Sequence, residues 1–160
     1  MTAEPAAAAR RYFDAITRRD LDAAAACWAT GGIDHLVPVG ELEVPGAWRE
    51  YFASLFAAMP DFNYEVLETV SEGTRVAVHW RAIGHFTGKP FQDIRATGRR
   101  VEIAGMDLVD VVDDKITRID SYWDDATVTR QIGLLPSRGS REERALISLF
   151  NLRTRLRRRR

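Results

Sequence analysis

Cysteine is almost missing from this 160-residue chain: Cys27 is the only one. One thiol excludes an internal disulfide and any cysteine-cluster metal site. The three histidines, His35, His79 and His85, show no HxH or HxxxH spacing, so no metal centre is expected. Apolar runs are short too, none approaching the roughly 18 residues that a membrane-spanning helix needs. Near the start, four alanines precede two arginines, the reverse of a secretory signal, and a cytoplasmic protein is expected. Glycine-rich phosphate loops and nucleophile elbows are also lacking. What the chain does have is 46% hydrophobic and 29% charged residues, enough for one domain with a proper core.

The formal charge is zero, but it is unevenly spread. Nine arginines against Glu142 and Glu143 crowd the segment 137–160. The remaining body, 1–136, keeps 14 basic against 21 acidic residues. An acidic body argues against nucleic-acid binding by the main domain. The chain therefore divides into a domain, 1–136, and an arginine-rich helical tail, 137–160.

Hydrophobic spacing predicts three helices first: 5–19 with Pro5 in its first turn, a short one from Asp20 to about Gly31 and Gly32, and 45–59. A short strand, IDHLV (33–37), lies between the last two. The period then changes from 3.6 to 2. Strands are predicted at 62–70, 75–86, 99–112 and 115–123, a four-strand antiparallel meander. A brief helix ATVTRQ follows, capped by Asp124 or Asp125. The tail helix opens on a capping box of Ser140 and Glu143. Helices followed by a meander define an α+β domain, and a curved sheet over helices leaves a concave face where ligands often bind.

One acid stands out in the last hairpin, GMDLVDVVDDKITRIDSYWDD. Successive strand side chains alternate between faces. On 101–112 the odd positions are the apolar ones and Asp107 is their only charge. On the next strand the odd set holds Ile119, Ser121 and Trp123, and the even set holds Arg118 and Asp120. A three-residue loop at Asp113-Asp114-Lys115 aligns both odd sets and sets Asp107 opposite Ser121; a two-residue turn does so only with a bulge. Asp107 is thus expected to face the core. Burial raises a carboxyl pKa toward the range useful for proton transfer near neutrality. The plainer alternative is that local donors satisfy Asp107 and it merely fixes register.

MPDFNYEV, EGTRVAVHWRAIGHFTG, ATGRRVEIAGMDLVDVVDDKI and QIGLLP, in this order and spacing, resemble the SnoaL-like polyketide cyclases of the NTF2-like superfamily. The likeness runs from about residue 5 to 136. It implies a cone-shaped α+β barrel with a cavity between helices and inner sheet face, three N-terminal helices packed on the sheet, and a homodimer through the outer sheet face. In the cyclases a carboxylate on the last strand serves as acid and base in an aldol ring closure; that position falls on Ser121 here. The partner position, usually histidine, falls on Asp107. The epoxide hydrolase members need two aspartates and an arginine around a water, and no matching Arg-x-Asp faces inward here.

The candidate catalytic residue is therefore Asp107. Ser121, Trp80, Trp123, His35 and Tyr12 are candidate substrate-binding residues. Trp80 and Trp123 lie on inward sets and could wall a flat ligand, though tryptophan is more often core than ligand wall. His35 lies where the superfamily borders its cavity, or is a hydrogen-bonded structural residue; Tyr12, Ser121 or His35 could support an oxyanion. Two functions fit: cofactor-independent acid–base chemistry on a small hydrophobic carbonyl compound, or a non-catalytic module holding a hydrophobic ligand or a protein partner. For the tail, docking on its own acidic body is the plain expectation, with an anionic membrane surface or nonspecific nucleic acid as alternatives.

Overall fold

The computed structural model describes residues 4–157. Three helices come first: α1 (Pro5–Thr17), α2 (Leu21–Ala26) and, after strands β1 (Trp28–Leu36) and β2 (Gly40–Glu43), α3 (Gly46–Ala58). Strands β3 (Asn63–Glu72), β4 (Arg75–His85), β5 (Arg100–Val112) and β6 (Lys115–Trp123) follow, then α4 (Asp125–Gln131) and α5 (Arg141–Arg157). The six strands form one open, curved sheet in the order β2-β1-β6-β5-β4-β3, antiparallel throughout except for the parallel pair β1–β6. The fold is the expected α+β cone. The predicted meander is its β3–β6 portion.

Each helix forms for a local reason. Pro5 sits in the first turn of α1, where its missing N–H has no partner to lose. Ala9, Tyr12, Phe13 and Ile16 then recur at helical spacing and are buried against the sheet. Asp20 caps α2, its carboxylate accepting from the Ala23 N–H at 2.9 Å. Asp124 does the same for α4, accepting from the Thr127 N–H at 3.0 Å and its hydroxyl at 2.6 Å.

Two expectations near the start are corrected. The second helix ends at Ala26, not near Gly31, and β1 runs from Trp28. The two glycines belong to an irregularity in that strand, where the register to β6 shifts between Trp28 and Ile33. Gly31 has φ +75°, and a Cβ on Gly32 would lie 2.6 Å from the Trp28 ring. The glycines therefore let the strand fold over the indole, which a helix-stop reading misses. The short strand β2, paired along Ile33–Leu36, was not expected at all.

The hairpin that presents Asp107 is also built differently from the expectation. Val112 pairs with Lys115, so the turn has two residues, Asp113 and Asp114. Both have positive φ, 49° and 63°, the conformation of a type I′ turn. Parity is restored by a bulge: Asp110 pairs with Arg118 but Val111 with Ile116, leaving Thr117 over. Its hydroxyl donates to the Asp110 carbonyl at 3.3 Å. Asp107 still faces Ser121, and Ile116 takes the buried place next to the turn that alternation gave to Thr117.

The tail helix departs furthest from expectation. No described residue of α5 is buried, so it does not dock on the body. Its start keeps half the predicted capping box: the Ser140 hydroxyl accepts from the Glu143 N–H at 3.0 Å, while the Glu143 carboxylate accepts from the Gly139 N–H at 2.6 Å. Residues 158–160 of the predicted tail lie outside the described residues. No helix among the described residues is long and apolar enough to cross a membrane.

Candidate functional site

The concave face of the sheet, α1, α3, α4 and the 86–94 segment enclose a cavity of about 330 Å³. Its walls are aromatic and aliphatic, with Tyr12, Phe52, Tyr64, Trp80 and Trp123 among them. Two carboxyl groups, Asp34 and Asp107, sit in this apolar wall, and Asp125 lies at its α4 side. No lysine, arginine or histidine is among the described lining residues.

Asp107 is 5% exposed. Its Oδ1 accepts a hydrogen bond from Trp80 Nε1 at 2.8 Å, and its Oδ2 one from the Tyr64 hydroxyl at 3.4 Å. The Ser121 hydroxyl is a third donor. Burial pushes the Asp107 pKa up to about 7, against the pull of the bonds from Trp80, Ser121 and Tyr64. Without a cationic neighbour, three neutral donors bring the group back only as far as neutrality.

A glycine makes the strongest of these bonds possible. Gly105 pairs with Trp80 across β4 and β5, and a Cβ there would lie 2.3 Å from the indole Cζ2. The missing side chain lets the ring lie flat across the strand with its N–H aimed at Asp107, two residues on.

Asp34, on β1, is 1% exposed, and its Oδ1 has no hydrogen-bond partner. Burial raises its pKa well above the usual carboxylate range, and the charge of Asp107 adds to the effect; the Trp48 indole opposes it. Tyr12 lies beside it: its hydroxyl accepts from Trp48 Nε1 at 3.3 Å, and burial followed by the Asp34 charge raises its own pKa. The two acids thus have unlike surroundings. Asp107 has three donors for its anion, whereas Asp34 keeps one oxygen with none.

Of the residues singled out from sequence, Asp107, Ser121, Trp80, Trp123 and Tyr12 all line the cavity. His35 does not. It points to the outer face, where its Nδ1 meets Asp120 Oδ1 at 2.9 Å, because β1 presents Asp34 and Leu36 inward. Sequence reasoning missed Asp34 and Tyr64. Tyr64 was legible, since it alternates with Glu65 on a predicted strand. Asp34 was not: IDHLV is too short for alternation to choose a face. The choice comes from the parallel register with β6, where Asp34 pairs with Ile119 and Leu36 with Ser121.

A curved, open α+β sheet closed by helices over an apolar, acid-bearing cavity is the architecture of the NTF2-like and ketosteroid isomerase-like proteins. Within that class the chain belongs to the SnoaL-like polyketide cyclase family, whose profile matches residues 6–132. No curated protein matches the sequence. Solved structures do. AclR, a hydroxylase candidate from Streptomyces galilaeus, aligns with TM-score 0.73 and 22% identity over 86% of this chain and 89% of its own. IdmH, a polyketide cyclase candidate from Streptomyces antibioticus, gives TM-score 0.69 and 24% identity over 82% and 99%. A ketosteroid isomerase-like protein from Catenulispora acidiphila DSM 44928, solved with trimethylamine, gives 0.67 and 16% over 79% and 92%. Identities this low speak for the fold, and the differing names show that the fold does not set the reaction.

Proposed function

We propose that the cavity performs cofactor-independent acid–base chemistry on an apolar carbonyl compound, as a cyclase or isomerase. Family membership supports the reaction class. The observation that carries the reading is Asp107: a buried carboxyl on the cavity wall, poised near neutrality, with no cation beside it. Its carboxylate removes a proton from the carbon next to the carbonyl. Asp34, which has no donor for its Oδ1, keeps its own proton and donates it as a hydrogen bond to the oxygen that becomes negative. The enolate carbon then attacks a second carbonyl of the same molecule, or is reprotonated at a different carbon. The proton held by Asp107 returns to the new alkoxide or carbon, and the enzyme ends as it began. Trp80, Tyr64 and Trp123 supply flat surfaces that orient the ligand, and the absence of basic lining residues selects against anionic ligands.

A test needs no knowledge of the natural substrate. The protein is expected to catalyse exchange of the α-hydrogens of 1-tetralone with D2O, followed by NMR. Asp107→Asn is expected to abolish catalysed exchange while 1-tetralone still binds. Catalysed exchange at the wild-type rate in that variant rules the base out. A second reading has one specific observation in its favour: Ser121 stands where the resemblance puts the cyclase carboxylate. In that reading the cavity only holds a hydrophobic ligand, and wild type and Asp107→Asn bind alike with no exchange in either.

A further inference from the structure

The helix α5 lies beyond the family match and carries the least satisfied surface of the described chain. Leu149 and Phe150 are 65% and 67% exposed, and Leu146, Ile147, Leu152 and Leu156 are each about half exposed or more. At 100° per residue, Ala145, Leu149, Leu152 and Leu156 form one stripe with Leu146 and Phe150 beside it. Arg144 and Arg155 flank the stripe on one side and Arg153 and Arg157 on the other, while Arg141 lies one turn ahead of Ala145 and almost in line with it. The sequence continues with Arg158, Arg159 and Arg160. Helices in proteins draw most of their stability from packing an apolar face, and this one buries none of its described residues, so its stripe calls for a partner. Its recorded ion pair to the body is slight: Glu143 to Arg130 at 3.7 Å.

We propose that α5 lies on an anionic lipid surface, with the leucines and Phe150 at the acyl boundary and the arginines on the phosphate headgroups. Charge decides among the occupants. A second copy of α5 would bring the same excess of positive charge, five arginines against Glu142 and Glu143 within Arg141–Arg157, and leave it uncompensated. A nucleic acid would satisfy the arginines and leave the leucines in water. An anionic bilayer satisfies both, and arginines flanking the stripe reach the headgroups along their methylene stems. The body, acidic by about seven charges, is repelled by the same surface, so α5 makes the contact and the body stays beside it without docking. Leu134, exposed and just ahead of α5, also lines the cavity. The tail therefore tethers the body close to where apolar ligands partition.

The test uses the full chain, with sedimentation on vesicles of phosphatidylcholine alone or mixed with phosphatidylglycerol. Binding to the mixed vesicles is expected to be at least about tenfold tighter than to phosphatidylcholine. Two variants, Leu149→Glu with Phe150→Glu, and Arg153→Glu with Arg155→Glu, are each expected to lose about tenfold or more, and raised salt to weaken wild-type binding. Far-ultraviolet circular dichroism of each variant checks that the body is folded. The proposal is overturned by no binding to mixed vesicles, by equal binding of wild type and variants, by α5-dependent dimerisation without vesicle binding, or by retention on double-stranded DNA without vesicle binding.

Discussion

Asp107 and Asp120 sit on neighbouring strands, one register position apart, on opposite faces of the same sheet. On the outer face Asp120 meets the Arg118 guanidinium at 2.9 Å and the His35 ring at 2.9 Å. Arg118 first and His35 second hold its pKa below the usual carboxylate range. On the inner face Asp107 meets only neutral donors, and its pKa moves the other way, to about 7. Asp110, on the same outer face, is also paired with a cation, Arg75, at 2.7 and 3.1 Å. The lesson is that exclusion of cations, as much as burial, makes an acid of the inner face fit for proton transfer. Asp120, with its own arginine, is too weak a base to matter.

The largest effect expected from breaking this contrast is removal of the inner acid. Asp107→Asn should lower the rate of 1-tetralone exchange by about 10²–10⁴-fold. The same change should stabilise the fold at pH 8. Because the folded pKa is raised, the folded state holds its proton more tightly than the unfolded chain. Stability from this group is full below the ordinary carboxylate pKa and is lost as pH rises through about 7. Thermal unfolding at pH 8 should therefore favour Asp107→Asn by an amount on the order of 1–3 kcal/mol, with little difference at pH 4. A variant that is less stable at pH 8 would mean that the three donors outweigh the burial.

Second comes the pH profile. If Asp107 is the base, exchange should rise with pH and level off above about 7. A carboxylate like Asp120 would place that rise below the usual carboxylate range. A stopped assay across pH 4–9 separates the two outcomes.

Third is Gly105→Ala, which keeps every charge and attacks only geometry. The new methyl has to displace the Trp80 indole and so break its 2.8 Å bond to Asp107. Destabilisation of about 1–3 kcal/mol is expected from overpacking, together with an upward shift of the kinetic midpoint as a donor to the anion is lost. An unchanged midpoint would show that Trp80 does not tune the acid.

How much of this was legible beforehand follows from what each signal requires. Asp107 was readable because a thirteen-residue strand gives alternation enough positions to declare a face. The pairing with Ser121 was readable even though the predicted loop was wrong, because burial of both apolar sets demands that parity and the bulge at Thr117 supplies it. Asp34 was hidden by distance: β1 and β6 lie about eighty residues apart and pair in parallel, and no local pattern announces such contacts. The glycines at 31 and 32 misled for a related reason. Gly-Gly stops helices and also serves bulges, and only the Trp28 ring beneath them decides which. The tail misled through charge, since complementarity between a basic tail and an acidic body suggested docking that the helix does not make.

The smallest expected effects belong to the outer face, and they sharpen the comparison most strictly. Arg118→Ala removes the main partner of Asp120, and His35→Phe removes the second. Both pairs are partly solvated, so each change should cost no more than about 1 kcal/mol in thermal unfolding. Neither should move 1-tetralone exchange beyond about twofold, since no atom of either residue lines the cavity. Released from Arg118, Asp120 should titrate closer to an ordinary carboxylate, visible by NMR, while Asp107 stays where it is. A shift of Asp107 in step with Asp120 would mean that charge on one face is felt through the sheet by the other. The cavity acid would then owe its poise to the outer network as well as to its own dry surroundings.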